Sequence, residues 1–374
     1  MTETRDPRHL INRKLEHVEA TVFGGVERLT STMLDDITLV HQAFPGFSLE
    51  DVETMSYFLG KKISSPIMVT GMTGGTPELG RLNGIIASVV EEMGLVMGVG
   101  SERIVIENPS SEESFRVVRR NAPTSPLVAN IGVPQLYRGY GLSELKTIIS
   151  VIEADALAVH LNVAQEVFQP EGETDYREET LAKLRDLSKE IGIPVILKET
   201  GCGLSIETVR RFSSYGFHNF DVSGQGGTSW VAVEKLRGER RGNWKSRSAS
   251  VFSTWGIPTA ATIMETRWSD PTSFIIGSGG LRNGLDIAKA IALGADVGGF
   301  ALPVLEASLE GKNSVRSFLN DVLFQLQAAM LMSGSKDVKS LRKASIVIRG
   351  GLKEWMESRG ISLSTYDKVR KGGY

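Results

Sequence analysis

The sequence predicts a (β/α)8 barrel, an α/β fold of the TIM-barrel type, with an N-terminal extension and C-terminal helices. Eight short apolar runs alternate with helix-length segments between residues 66 and about 310. That rhythm is expected of parallel strands buried on both faces. Its span fits the ~250 residues typical of a closed barrel. No G-x-G-x-x-G turn follows the first run, although an open doubly wound sheet would carry one there.

The elements follow in order. Residues 1–65 form an extension. Positions 12–17 are helical and carry adjacent cations, Arg13 and Lys14, before a Phe23-Gly-Gly25 breaker. Residues 37–47 read as extended, 49–52 as a connection and 59–63 as a turn. The barrel spans 66–310. Strands are expected at 67–70, 96–99, 127–131, 156–160, 195–198, 219–223, 274–277 and 297–301. Helices are expected over 77–92, after Pro109, from about Ser143, over 177–190 and from Ser205. An insertion at 224–258 is the longest irregular interval; loops of that length are functional or disordered. Its Trp230, Trp244 and Trp255 imply ordered packing as a lid or subunit contact, and its basic run, 235–241, reads as a solvated face. Residues 311–374 complete the chain, with helices at 314–333 and 336–348 and a basic, glycine-rich, mobile tail from Tyr366.

Composition narrows the function. A net charge of −2 provides no basic field for nucleic acid or an anionic membrane. Cys202 is the single cysteine, which excludes an internal disulfide and any multi-thiolate metal site. The opening MTETRDPRHLINRK has no apolar core of a signal peptide, and no run approaches the ~20 apolar residues of a membrane span. A cytoplasmic protein is expected.

The polar residues concentrate at strand ends, where a parallel barrel builds its active site. The fourth strand delivers His160, Asn162, Gln165 and Glu166 within seven positions, which suits a charged ligand and a metal. Gly277-Ser-Gly-Gly280 and Arg282 follow strand seven, and Ala301 and Leu302 end strand eight. These loops are the usual phosphate site of the fold, and Gly279 and Gly280 let the backbone approach closely. Lys198 ends strand five, where a cation suits a ligand that becomes anionic, such as the N1–C2=O edge of a reduced flavin. Alternatively it pairs with a nearby carboxylate. Thr70, Gly71, Met72 and Thr73, with Ser101 and Asn130, add small polar contacts around the same mouth. Together they describe a flavin mononucleotide (FMN) site.

Arg13-Lys14-x-x-His17, Gly71-Met-Thr-Gly-Gly75, Gly100-Ser-x-Arg103, His160-Leu-Asn-x-x-Gln-Glu166, Lys198-Glu-x-Gly-x-Gly203 and Gly277-Ser-Gly-Gly280 occur in order. From about residue 10 to 345 the chain resembles the type 2 isopentenyl-diphosphate isomerases. The resemblance implies interconversion of isopentenyl and dimethylallyl diphosphates, with reduced FMN, Mg2+, NADPH as flavin reductant, and a homotetramer or larger assembly. It implies that Arg13, Lys14, Ser101, Arg103, His160, Asn162 and Thr200 surround the diphosphate. Gln165 would lie beside the isoprenyl carbons and Glu166 would serve the magnesium, the pair acting in catalysis with His160. Lys198, Ser223, Thr228, Gly279, Gly280, Arg282, Ala301 and Leu302 would hold FMN.

Two other readings stay open. An FMN oxidoreductase on the same barrel would need a late histidine base or a nucleophilic loop cysteine. No histidine follows His218, and Cys202 reads as a small filler residue. A non-catalytic flavin- or phosphate-binding protein would have no use for the strand-four cluster.

Overall fold

The structure, a computed structural model, describes residues 7–27 and 29–372, with residues 7–13 as backbone only. Eight parallel strands close a barrel: β4 (Ile67–Val69), β5 (Val96–Gly98), β6 (Leu127–Gly132), β7 (Ala156–His160), β8 (Val195–Lys198), β9 (Asn219–Asp221), β10 (Phe274–Ser278) and β11 (Val297–Phe300). β11 returns to pair with β4 and completes the circle. Each expected strand is present within two residues of its expected ends. The apolar runs hide a period of two. Met68, Val96, Val128, Ala156, Ala158, Ile196, Ile276 and Val297 fill the barrel's inside. Their neighbours Ile67, Val69, Met97 and Leu157 pack outward under the helices.

The hairpin of β2 (Ser56–Phe58) and β3 (Lys61–Ile63) plugs the barrel base. Phe58 is fully buried there, edge-on to Phe274 with ring centroids 5.4 Å apart. With the base filled by side chains, the opposite end, where every strand finishes, is left for a ligand.

The extension and the C-terminus differ from expectation. Of 37–47, only β1 (Ile37–Leu39) is a strand. It pairs antiparallel with β12 (Ile346–Ile348), inside the stretch expected to be helical; the helix there is only Val338–Arg342. The β-branched Ile346-Val-Ile favours a strand once an edge is available. The helix Lys312–Met332 matches the one expected at 314–333.

The tail from Tyr366, expected to be mobile, begins within a helix, Leu363–Arg370. Tyr366 donates to the Leu293 carbonyl, and the buried Arg370 guanidinium donates to the carbonyls of Ala292, Arg342 and Ala344 at 2.8, 3.0 and 2.9 Å. Arg370→Ala strands three buried acceptors and should lower stability by about 3–5 kcal/mol. Urea unfolding measures it; a midpoint equal to the wild type's would show the tail to be dispensable.

The insertion 224–258 is mostly helical: Trp230–Arg240, Lys245–Ala249 and a 3-10 turn, Ser250–Phe252. Ser229 caps the first of these, its hydroxyl accepting from the Ala232 N–H. Its basic run is a solvated face only in part: Arg240 and Arg241 are exposed, but Arg237 is not. Arg237 is 1% exposed and pairs with Glu16, Glu171 and Glu234, while Arg240 pairs with Glu19 and Arg241 with Glu16. These bonds hold the N-terminal helix Pro7–Phe23 over the barrel mouth. Trp230 packs edge-on to His17 at 5.3 Å, whereas Trp244 and Trp255 are exposed.

Candidate active site

A cleft opens at the C-terminal ends of the strands, the end of the barrel where a parallel (β/α)8 fold builds its ligand site. Its floor is Thr70, Gly71, Met72 and Thr73 after β4, with Lys198 and Thr200 from β8. One wall is Ser223 and Thr228 after β9 with Gly279, Gly280 and Arg282 after β10. Ala301 and Leu302 after β11 complete that wall. The N-terminal helix covers it with Lys14, His17, Val18 and Thr21.

The far end has the build of an anion cradle. Gly279 and Gly280 have φ of +100° and +77°, a region in which L side chains are strained. A Cβ on Gly279 would come within 2.2 Å of the Gly224 carbonyl oxygen, and one on Gly280 within 2.5 Å of the Gly226 carbonyl. Only glycine lets these loops meet and leave their backbone toward the cleft. Leu302 opens the nine-residue helix Leu302–Glu310, whose N-terminus adjoins the same space. Arg282 is partnered there by Glu27, whose other oxygen accepts from the Thr228 hydroxyl. Glu27 also lines the cleft.

Lys198 stands at the centre. The barrel register sets it level with His160 on one side and Asp221 on the other. Its Nζ lies 2.7 Å from Asp221 Oδ2, both groups buried, and the Ser278 hydroxyl donates to the second Asp221 oxygen. The carboxylate partner considered for Lys198 therefore exists, and the pair lies directly beneath the cleft. A glycine-rimmed anion end, an arginine and a central buried cation fit the phosphate and ring of a flavin mononucleotide. The hydroxyls of Thr70 and Thr73 donate to the Phe300 carbonyl and to Asn83. They reach a ligand only through their remaining lone pairs.

The strand-four residues do not line this cleft. Asn162 has φ +60°, tolerable for an asparagine, and turns the chain from β7 into the short helix Val163–Phe168. Its side-chain oxygen accepts from the Thr200 hydroxyl. Gln165 donates to Glu234 Oε1 at 2.7 Å, and His17 bonds the same oxygen at 2.8 Å. Because His17 lines the cleft, Glu234 links Gln165 to it. His160 bonds Asn130 at 2.8 Å. Arg103 pairs with Glu107 and, at 3.0 Å, with Glu173; Lys14 Nζ donates to the Ser101 carbonyl at 2.8 Å. Arg13 lies in the Pro7–Phe23 helix, but its side chain is outside the described residues.

Glu166 Oε2 accepts from the backbone N–H of Glu173 at 2.7 Å and from Gln169 at 3.5 Å. Among the described residues no group of three or more His, Cys, Asp or Glu could hold a metal ion. Mg2+ needs none: one carboxylate, waters and a diphosphate complete its shell. The donor set fits a metal carried in by a substrate phosphate.

Burial shifts two titratable groups in the neighbourhood. Burial pushes the Glu199 carboxyl up to about 7, against the N–H groups of Cys202 and Thr200 that it accepts. Burial also pushes the Cys202 thiol above its ordinary range, so it is no thiolate nucleophile. Reading the sequence missed Glu27, Asp221 and Glu234. Asp221 alone left a local signal, a carboxylate inside an apolar strand.

Among the described residues no helix is long and apolar enough to cross a membrane. Residues 143–348 match the model of the FMN-dependent dehydrogenase family. The chain is 58% identical to the isopentenyl-diphosphate delta-isomerase of Metallosphaera sedula over 97% of its own length and 99% of that protein's. It is 56% identical to the isopentenyl-diphosphate delta-isomerase of Sulfurisphaera tokodaii, over 97% and 98%. Among solved structures, a mandelate oxidase with (S)-mandelic acid aligns at a TM-score of 0.63 and 18% identity, covering 93% of this chain and 98% of that one, which is a likeness of fold. The chain belongs to the isopentenyl-diphosphate delta-isomerases of the second, FMN-dependent type.

Proposed function

We propose that this enzyme interconverts isopentenyl diphosphate and dimethylallyl diphosphate by a 1,3-allylic proton shift. One proton is gained at the terminal methylene carbon, one is lost from the carbon beside the diphosphate arm, and there is no net redox change. FMN in its reduced form, Mg2+ on the diphosphate, and NADPH as the source of flavin electrons complete the reading. Its main support is the juxtaposition of a glycine-rimmed, cation-centred cleft with the His160–Glu166 segment, which meet through Glu234 and His17.

When bound, reduced FMN would supply the acid–base group, at N5. Thr70 to Thr73, Ser101, Ser223, Thr228, Gly279, Gly280, Arg282, Ala301 and Leu302 hold the cofactor in this reading. Lys198 stabilises negative charge on its ring. Gln165 cannot donate or remove a proton at neutral pH, so its part is to orient the isoprenyl carbons, its own amide held by Glu234. Arg13, Lys14, Ser101, Arg103, His160, Asn162 and Thr200 surround the diphosphate. Residues 1–65 act as the extension that brings Arg13 and Lys14 to the 66–310 barrel, and residues 311–374 support the barrel's outside. The enzyme works in the cytoplasm as a homotetramer or larger assembly.

Incubation under argon with isopentenyl diphosphate, Mg2+, FMN and NADPH tests the activity: dimethylallyl diphosphate is expected, and its absence would overturn the reading. Glu166→Gln tests the metal. The Mg2+ concentration for half-maximal rate should rise about tenfold or more; an unchanged requirement would remove Glu166 from the metal site.

A further inference from the structure

The sequence assigned Asn130 to the flavin. One hydrogen and one lone pair of its amide are engaged away from the cleft. Asn130 is 6% exposed, Nδ2 donates to the Val99 carbonyl at 3.0 Å, and Oδ1 lies 2.8 Å from His160 Nδ1. The carbonyl of Val99 decides which end of the amide is which. With the amide reversed, two oxygens would face each other at Val99, and no hydrogen would lie between them. A side-chain carbonyl oxygen only accepts, so the imidazole must carry its hydrogen on Nδ1.

Asn130 has little freedom to turn away. Its backbone N–H donates to Glu102 Oε2 at 3.0 Å, while the Glu102 N–H donates to the Asn130 carbonyl at 2.8 Å. Glu102 is fully buried. A Cβ on Gly71 would sit 2.1 Å from the Val99 oxygen and 3.0 Å from Asn130 Nδ2, so Gly71 closes directly over this bond. Gly132 serves the far side of the ring: a Cβ there would lie 2.7 Å from His160 Nε2.

We infer that Asn130 is a positioning residue for His160, fixing the Nδ1–H tautomer so that Nε2 serves the substrate. The inference rests on the proposed placement of His160 at the diphosphate. Neutral His160 then presents an acceptor at Nε2, and protonated His160 presents a donor, while the Asn130 bond is the same in both states. An anionic diphosphate selects the donor. Asn130 thus lets the ring change charge without turning. The charged or titratable groups on elements packed nearby include Glu102 on the Asn130 backbone, Lys198, balanced by Asp221, with Glu199 next to it, the Arg103–Glu173–Arg138 cluster, and Glu166.

The five histidines of the chain make the test accessible by 15N NMR of the histidine-labelled full-length protein with FMN bound. His160 is identified by loss of its signals in His160→Asn. Neutral His160 should show a protonated Nδ1 and an unprotonated Nε2. Asn130→Asp should raise the His160 pKa by about one unit or more, and Asn130→Ala should release the tautomer preference while FMN affinity holds. A protonated Nε2 with a bare Nδ1 in neutral wild-type His160 overturns the inference without any variant. So does a roughly tenfold loss of FMN affinity in Asn130→Ala with the tautomer unmoved, which would return Asn130 to the flavin. Because the tautomer is read without turnover, loss of the isomerase reading would be seen separately, in the product assay.

Discussion

Lys198→Met is expected to lower stability by about 3–5 kcal/mol, because it leaves Asp221 as a buried charge with its cation removed. Lys198 is 6% and Asp221 1% exposed, and their 2.7 Å contact lies inside the barrel mouth. The Ser278 hydroxyl remains on one Asp221 oxygen, but one neutral donor does not balance a buried carboxylate. The double variant Lys198→Met with Asp221→Asn replaces the ion pair by neutral groups and should recover most of that stability. It should not recover activity. If Lys198 stabilises charge on the bound ring, both variants lose on the order of a hundredfold or more in kcat. Urea unfolding and anaerobic turnover on the same preparations separate the two roles. Full activity in the double variant would leave Lys198 a purely structural cation.

Glu234 carries the second large effect. One buried carboxylate holds His17, Gln165 and Arg237. Glu234→Ala should cut kcat/KM by about a hundredfold through misplacement of Gln165 and His17, while Arg237 keeps Glu16 and Glu171. Glu234→Gln keeps the shape and isolates the charge. Burial pushes the Glu234 carboxyl up, but His17 and Arg237 outweigh it, and the group rests at about 2 instead of its ordinary 4.5. A carboxyl depressed on folding adds stability that is complete above its unfolded pKa and is lost as pH falls through the folded one. Wild type should therefore lose its advantage over Glu234→Gln between about pH 4.5 and 2. A stability difference that stays constant down that range would contradict the assignment.

The barrel was legible because each strand is a short apolar run bounded by polar strand ends, and the polar residues at those ends are where parallel strands place a site. Position at a strand end was enough to bring Lys198, Gly279, Gly280 and Arg282 to the lining of the cleft. What could not be read locally depends on distant partners. The Trp230–Arg240 helix looks irregular because its basic residues suggest solvent; its arginines are satisfied by Glu16 and Glu19, with Arg237 and Glu16 221 positions apart. Glu234 was hidden by the same charged run. β12 was mistaken for helix because its partner β1 is an isolated three-residue strand near the other end of the chain. The tail looked mobile because nothing in Tyr366–Arg370 shows that the barrel presents carbonyls at Ala292 and Leu293 to receive it.

The flavin spectrum during turnover tests the central claim most directly. Enzyme with FMN reduced anaerobically should convert many equivalents of isopentenyl diphosphate while its spectrum stays that of the reduced flavin. Reoxidation of flavin in step with substrate consumed would contradict the account and make the protein an oxidoreductase.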